Sequence, residues 1–106
     1  DLDHFKAIND RHGHAIGDRV LAETVTACRE RLRNSDILGR IGGEEFGIVL
    51  PHTAEADAMK VAAEILSALK RRVIVLPTKS INVSASFGIS TNARDIAFDE
   101  LLRRAD

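Results

Sequence analysis

A single cysteine, Cys28, leaves the chain no internal disulfide framework. No apolar run approaches the roughly 20 residues a membrane-spanning helix needs, and no repeat or low-complexity tract interrupts the sequence. Neither sign of charge prevails: 15 Lys and Arg stand against 16 Asp and Glu, a formal net charge of -1. A nucleic-acid polymer and an acidic membrane surface are therefore not the expected partners. No methionine opens the chain, which predicts a piece of a longer parent whose signal or anchor would lie elsewhere. What remains describes one ordinary globular domain, since 106 residues make one unit and 44% hydrophobic content fills a single core. A reducing, cytoplasmic setting is expected, whether or not the parent is anchored to a membrane.

The chain reads as elements separated by short punctuation. Asp1-Leu2-Asp3 is the end of a strand that runs into a short helix through Phe5 and Ile8, with Asp3 as its cap. "NDRHGHAIGD" carries two glycines and no sustained period, so it reads as a loop before a helix from about Asp18 to Arg33. On that helix Leu21, Val25, Cys28 and Leu32 form one apolar stripe. Two strands follow, Ile37 to Ile41 and Glu45 to Leu50, joined by a glycine turn expected to use positive φ. Pro51 and Thr53 introduce a helix through about Lys70, buried along Ala58, Val61, Ala62, Ile65 and Leu69, and a small hairpin is centred on Pro77. "SINVSASFGIS" alternates Ile81, Val83, Ala85, Phe87 and Ile89 with small polar residues, a strand with one core face. An amphipathic helix begins at Phe98. The order predicts an α+β fold, a mainly antiparallel central sheet flanked by helices.

The acids are placed where chemistry can use them. Asp1 and Asp3 lie where a strand enters a helix, and Glu44 and Glu45 lie at a hairpin tip. Neighbouring central strands would bring both groups to one sheet edge. Such a set offers hard oxygen ligands to Mg²⁺, which takes one or two protein carboxylates and fills its shell with water and substrate phosphate. The N–H groups of His4, Phe5 and Lys6 at a helix start add a second phosphate contact. Gly42 and Gly43 clear a path to the backbone. The remaining His4, His12 and His52 lack metal-ligand spacing and read as surface residues, and Cys28 reads as core.

"DLDHFKAIND", "GHAIGD", "RIGGEEFGIVL", "VSASFGIS" and "LLRRAD" together resemble, in order and spacing, the successive motifs of the GGDEF-domain diguanylate cyclases of bacteria. The resemblance covers essentially the whole chain, residues 1–106, as a single GGDEF domain lacking its first strand and its C-terminal segment. It implies a nucleotide-cyclase palm-like fold and condensation of two GTP into cyclic di-GMP and pyrophosphate. Asp1, the carbonyl of Leu2 and Glu44 would hold two Mg²⁺ ions, with Mn²⁺ a substitute. Glu44 or Glu45 would take the hydroxyl proton, and Lys6 would steady phosphate charge. Asp18 would accept from guanine N1–H and its amino group, with helix N-capping as the plain alternative. Asn9 and His14 would complete the base pocket, Gly42 and Gly43 the approach to the phosphates.

"RNSD", Arg33 to Asp36, resembles the family's RxxD product-inhibition motif, a pair able to read guanine by Arg to O6 and N7 and Asp to N1–H. The plain alternative makes Arg33 a helix-end cation and Asp36 a turn residue. The helix drawn above would place the pair some ~22 Å from Asp18. Glu64, with Lys60 one turn earlier, stands where relatives contribute a further arginine. The resemblance also implies a homodimer of domains for catalysis and a sensor or regulatory domain in the parent. Two other functions fit the same motifs: a non-catalytic cyclic di-GMP binding module, and a structural or dimerising GGDEF-like domain.

Overall fold

The computed structural model describes residues 1–77 and 80–91. Its elements run α1 (Phe5–His12), α2 (His14–Arg29), β1 (Ile37–Gly42), β2 (Glu45–Val49), α3 (Glu55–Arg71), β3 (Val73–Val75) and β4 (Ser80–Asn82). β1 and β2 form an antiparallel hairpin in the register Ile37↔Val49 to Gly42↔Glu45, with a bulge between Arg40 and Gly42. β3 and β4 form a second hairpin around Pro77. Residues 1–3 lie between the tip of the first hairpin and residues 84–86, which follow β4. Leu2 N–H donates to the Glu44 carbonyl at 3.1 Å on one side. On the other side Asp3 N–H reaches Ser84 and Ser86 N–H reaches Asp1, both at 2.9 Å, around an antiparallel bridge between Leu2 and Ala85. The mainly antiparallel arrangement with flanking helices is the one the sequence predicts.

The core gathers Leu2, Val20, Ala27, Cys28, Ile65, Leu69, Ile74, Ile81 and Val83 between helices and sheet. Buried α2 positions are Gly17, Val20, Leu21, Thr24, Ala27 and Cys28, so the stripe lies partly beside the one drawn from Leu21, Val25, Cys28 and Leu32. Thr24 is tolerated there because its hydroxyl donates to the Val20 carbonyl at 2.8 Å. Burial pushes the Cys28 thiol up, as expected of a core residue. Arg72, just past α3, clamps that helix to α2 through Glu23 at 2.7 Å and Glu30 at 2.6 Å. Among the described residues no helix is long and apolar enough to cross a membrane.

Five local readings change. The stretch taken as a loop before Asp18 is helical on both sides of Gly13, which alone makes the break with φ 88°. Its two helices are short of apolar residues at their junction, so periodicity did not reveal them. Asp3 does not cap α1; His4 occupies the cap position in the left-handed region, φ 58°, without a side-chain cap bond. The long helix ends at Arg29, so Arg33 and Asp36 belong to a loop. In the 80–91 segment the core alternation holds at Ile81 and Val83 and fades at Phe87, which is 40% exposed. The ladder there ends with Ser86 on Asp1, and Phe87 lies past its last rung. His12 is half-buried rather than at the surface. The helix drawn from Phe98 lies outside the described residues.

Candidate active site

Alternation along residues 1–3 turns Leu2 into the core, where it is 5% exposed, and sends Asp1 and Asp3 to the opposite face. The Asp3 carboxylate is spoken for: it accepts the hydroxyls of Ser84 at 2.9 Å and Ser86 at 2.8 Å. Those hydroxyl bonds, Ser86 the stronger influence, hold its pKa below the ordinary 3.8. Ser84 and Ser86 were not singled out in the sequence, although the small polar residues between Val83, Ala85 and Phe87 were the available signal. Asp3 thus fastens the segment that carries Asp1. Because Leu2 and Ala85 face each other with the ladder bonds made by their neighbours, the N–H and C=O of Leu2 both point to the hairpin side. That is the side of Glu44.

The hairpin tip is fixed from two directions. The Glu44 carbonyl accepts Leu2 N–H, and the Gly43 carbonyl accepts Arg40 Nε at 2.9 Å. Arg40, also absent from the sequence reading, closes the bulged turn from three residues upstream. Glu44 is half-buried and Glu45, the first residue of β2, is exposed. The expected positive φ is absent from both tip glycines; among the described glycines only Gly13 has it. Nor does packing require them, since a Cβ at Gly42 or Gly43 would meet nothing within 4 Å. Neither backbone conformation nor neighbours explain the missing side chains. Open space in front of bare backbone is what a close-approaching ligand needs.

The fit to a hard cation rests on the donor set. The donor set is two carboxylates, Asp1 and Glu44, and the Leu2 carbonyl, on residues that the Leu2–Glu44 backbone bond draws together. Among the described residues no three His, Cys, Asp or Glu side chains form a cage, so any cation here would complete its shell with water or phosphate. Lys6, on the first turn of α1, has a 93% exposed side chain and only a loose 3.7 Å pairing with Asp10.

The second group of residues meets at the α1–α2 junction. Gly17 is buried against Asn9, and a Cβ at Gly17 would run into the Asn9 side-chain oxygen. That oxygen is buried without a hydrogen-bond partner. Asp18 follows Gly17, exposed in the second turn of α2, where it cannot act as the helix cap because Gly13 holds that position. His14, one turn earlier and also exposed, shares its face. One turn below Asp18 a trough of about 280 Å³ opens between α2 and the hairpin, floored by Leu21, Val25, Leu38 and Phe46 and flanked by Arg29 and Arg40.

Arg33 and Asp36 come together, on themselves. Arg33 Nη2 lies 2.9 Å from Asp36 Oδ1, Nε lies 3.3 Å from both carboxylate oxygens, and the Arg33 backbone N–H donates to Oδ2 at 2.7 Å. The bonds to Arg33 lower the Asp36 pKa and raise that of Arg33. Because α2 stops at Arg29, the helix accounts for only about 16 Å of the separation from Asp18, less than the sequence reading gave.

The family model described as "Diguanylate cyclase, GGDEF domain" matches residues 1–106. "Diguanylate cyclase A" of Treponema denticola is 40% identical over 100% of this chain and 29% of its own length. "Probable diguanylate cyclase DgcE" of Escherichia coli is 42% identical over 85% of this chain and 8% of its own. Among solved structures, diguanylate cyclase SiaD of Pseudomonas aeruginosa, in complex with its activator SiaC, superposes with a TM-score of 0.92 at 36% identity, covering 99% of this chain and 40% of that one. The chain therefore spans less than a third of the curated relatives' length.

Proposed function

The chain belongs to the GGDEF-domain family of diguanylate cyclases, and on that premise we propose that it condenses two GTP into cyclic di-GMP with release of pyrophosphate. The observation that carries this reading is the Leu2–Glu44 backbone bond, which joins the acid-bearing strand to the glycine-glutamate tip. Asp1, the Leu2 carbonyl and Glu44 would hold Mg²⁺, two ions per site, with Mn²⁺ able to replace it. When bound there, the metal would supply positive charge for the departing pyrophosphate and acidity for the attacking hydroxyl. Each step forms a bond from a ribose 3′-oxygen to an α-phosphorus, breaks the bond to pyrophosphate, and delivers the hydroxyl proton to a tip glutamate. Glu44, committed to a cation, is the weaker base, so Glu45 is assigned that proton. Gly42 and Gly43 admit the phosphates, and Lys6 supplies a point charge from the start of α1.

Base choice lies with Asp18, whose carboxylate accepts the two donors that guanine presents and adenine does not. With its oxygen lodged against Gly17, Asn9 has its amide nitrogen to offer the base, and His14 borders the same pocket. One domain contributes one guanine acceptor and one tip, so joining two nucleotides calls for two copies facing each other, in a parent that carries further domains. Arg33 and Asp36 form the product-inhibition site. The direct test is incubation with Mg²⁺ and GTP followed by chromatography of the products. Cyclic di-GMP, absent when ATP replaces GTP or when the metal is chelated, is the expected result. Binding of cyclic di-GMP without turnover would instead identify a binding module, and neither binding nor turnover a structural domain.

A further inference from the structure

The Arg33–Asp36 pair does more in this structure than wait for a ligand. Arg33 Nη2 also donates to the Pro51 carbonyl at 3.0 Å and to Thr53 Oγ1 at 2.8 Å, and Thr53 Oγ1 in turn donates to Pro51 at 3.0 Å. One guanidinium therefore fastens the α2–β1 loop to the connection between β2 and α3. All its bonds run through Nε and Nη2, and the Asp36 side chain is only 3% exposed. Reading a guanine takes two arginine nitrogens and an accessible carboxylate. Neither is available while the clasp is closed.

We propose that Thr53 and the Pro51 carbonyl compete with cyclic di-GMP for Arg33, so that Thr53 sets the affinity of the site and ligand capture frees the connection leading into α3. This rests on the product-site reading given above. Opening exchanges two bonds from Nη2 for bonds to the base, and the Asp36 carboxylate turns from Arg33 to the guanine N1–H and amino group. The loss of the 51–53 anchor is the local consequence, felt at the N-terminus of α3, which starts at Glu55. Arg33 at 56% side-chain exposure has room to swing outward.

Thr53→Val keeps the side chain's shape and removes the competing oxygen. Titration of cyclic di-GMP into the protein should then give a Kd roughly threefold to tenfold tighter than wild type, the range one hydrogen bond spans. Thr53→Ser, which keeps the hydroxyl, should bind within about twofold of wild type, and Arg33→Ala should abolish binding. Hydrogen exchange at residues 51–55 of the wild type should rise when cyclic di-GMP is added. If Thr53→Val binds equally or more weakly while Arg33→Ala still abolishes binding, the competition is wrong and the product site survives. If wild type shows no saturable binding, or Arg33→Ala binds as well as wild type, the product site itself is wrong and the competition falls with it.

Discussion

Asp18 illustrates how a single position changes meaning once its helix is seen. From sequence alone it was either the cap of α2 or an acceptor for guanine; α2 begins at His14, so the capping role is gone. Exposure alone is ordinary for an Asp, so the guanine role proposed above is the one left to test. Asp18→Ala should raise the GTP dissociation constant roughly tenfold or more while leaving ATP binding unchanged, because a charged acceptor of two donors is lost for guanine alone. Competition binding with the two nucleotides checks this, and equal losses would remove Asp18 from the pocket. Asp3 has the opposite character, since its carboxylate is fully engaged with Ser84 and Ser86. Its folded pKa lies below the ordinary 3.8, so the stabilisation is present above that value and is lost as pH falls through the folded one. Asp3→Asn should lower the melting temperature by several degrees near neutral pH, with the gap to wild type closing in strong acid. A gap of constant size across the acid range would show that ionisation of Asp3 does not matter.

At the scale of elements, the hairpin was the most legible part of the sequence and the α1–α2 junction the least. β1 and β2 announce themselves by apolar runs on either side of a glycine turn, and their observed bounds differ from the reading by about one residue at an end. At the junction the local composition is polar, and the close packing of Gly17 against Asn9 there leaves no periodic trace. At the tip one of the two reasons given for the glycines fails, and the other, an open path to the backbone, is the one left to test. Gly42 and Gly43 do not have positive φ, and space stands open before both. Gly43→Ala should therefore fold normally, as stable as wild type or roughly 0.4–1 kcal/mol more so. Its cyclic di-GMP synthesis should fall at least about tenfold. A loss of stability parallel to the loss of activity would mean that the glycine serves the turn and not the substrate.

For the molecule as a whole, strand order was foreseen only as a requirement: two acid groups far apart in sequence had to meet at one sheet edge. The contact that joins them, Leu2 to Glu44, is a backbone bond and carries no side-chain signature, so no pattern could have specified it. The clasp of Arg33 over Pro51 and Thr53 was invisible for the same reason, being a long-range contact between two loops. Central to the function proposed above is that Asp1 and Glu44 act together on one metal-bound nucleotide. The measurement that reaches this most directly is the initial rate of cyclic di-GMP formation over a range of Mg²⁺ and Mn²⁺ concentrations for wild type, Asp1→Asn and Glu44→Gln, with circular dichroism confirming that all three fold. Both variants should lose at least about a hundredfold in rate, and whatever activity remains should need more metal than wild type. A folded Glu44→Gln or Asp1→Asn variant that makes cyclic di-GMP at the wild-type rate with unchanged metal dependence would contradict the account.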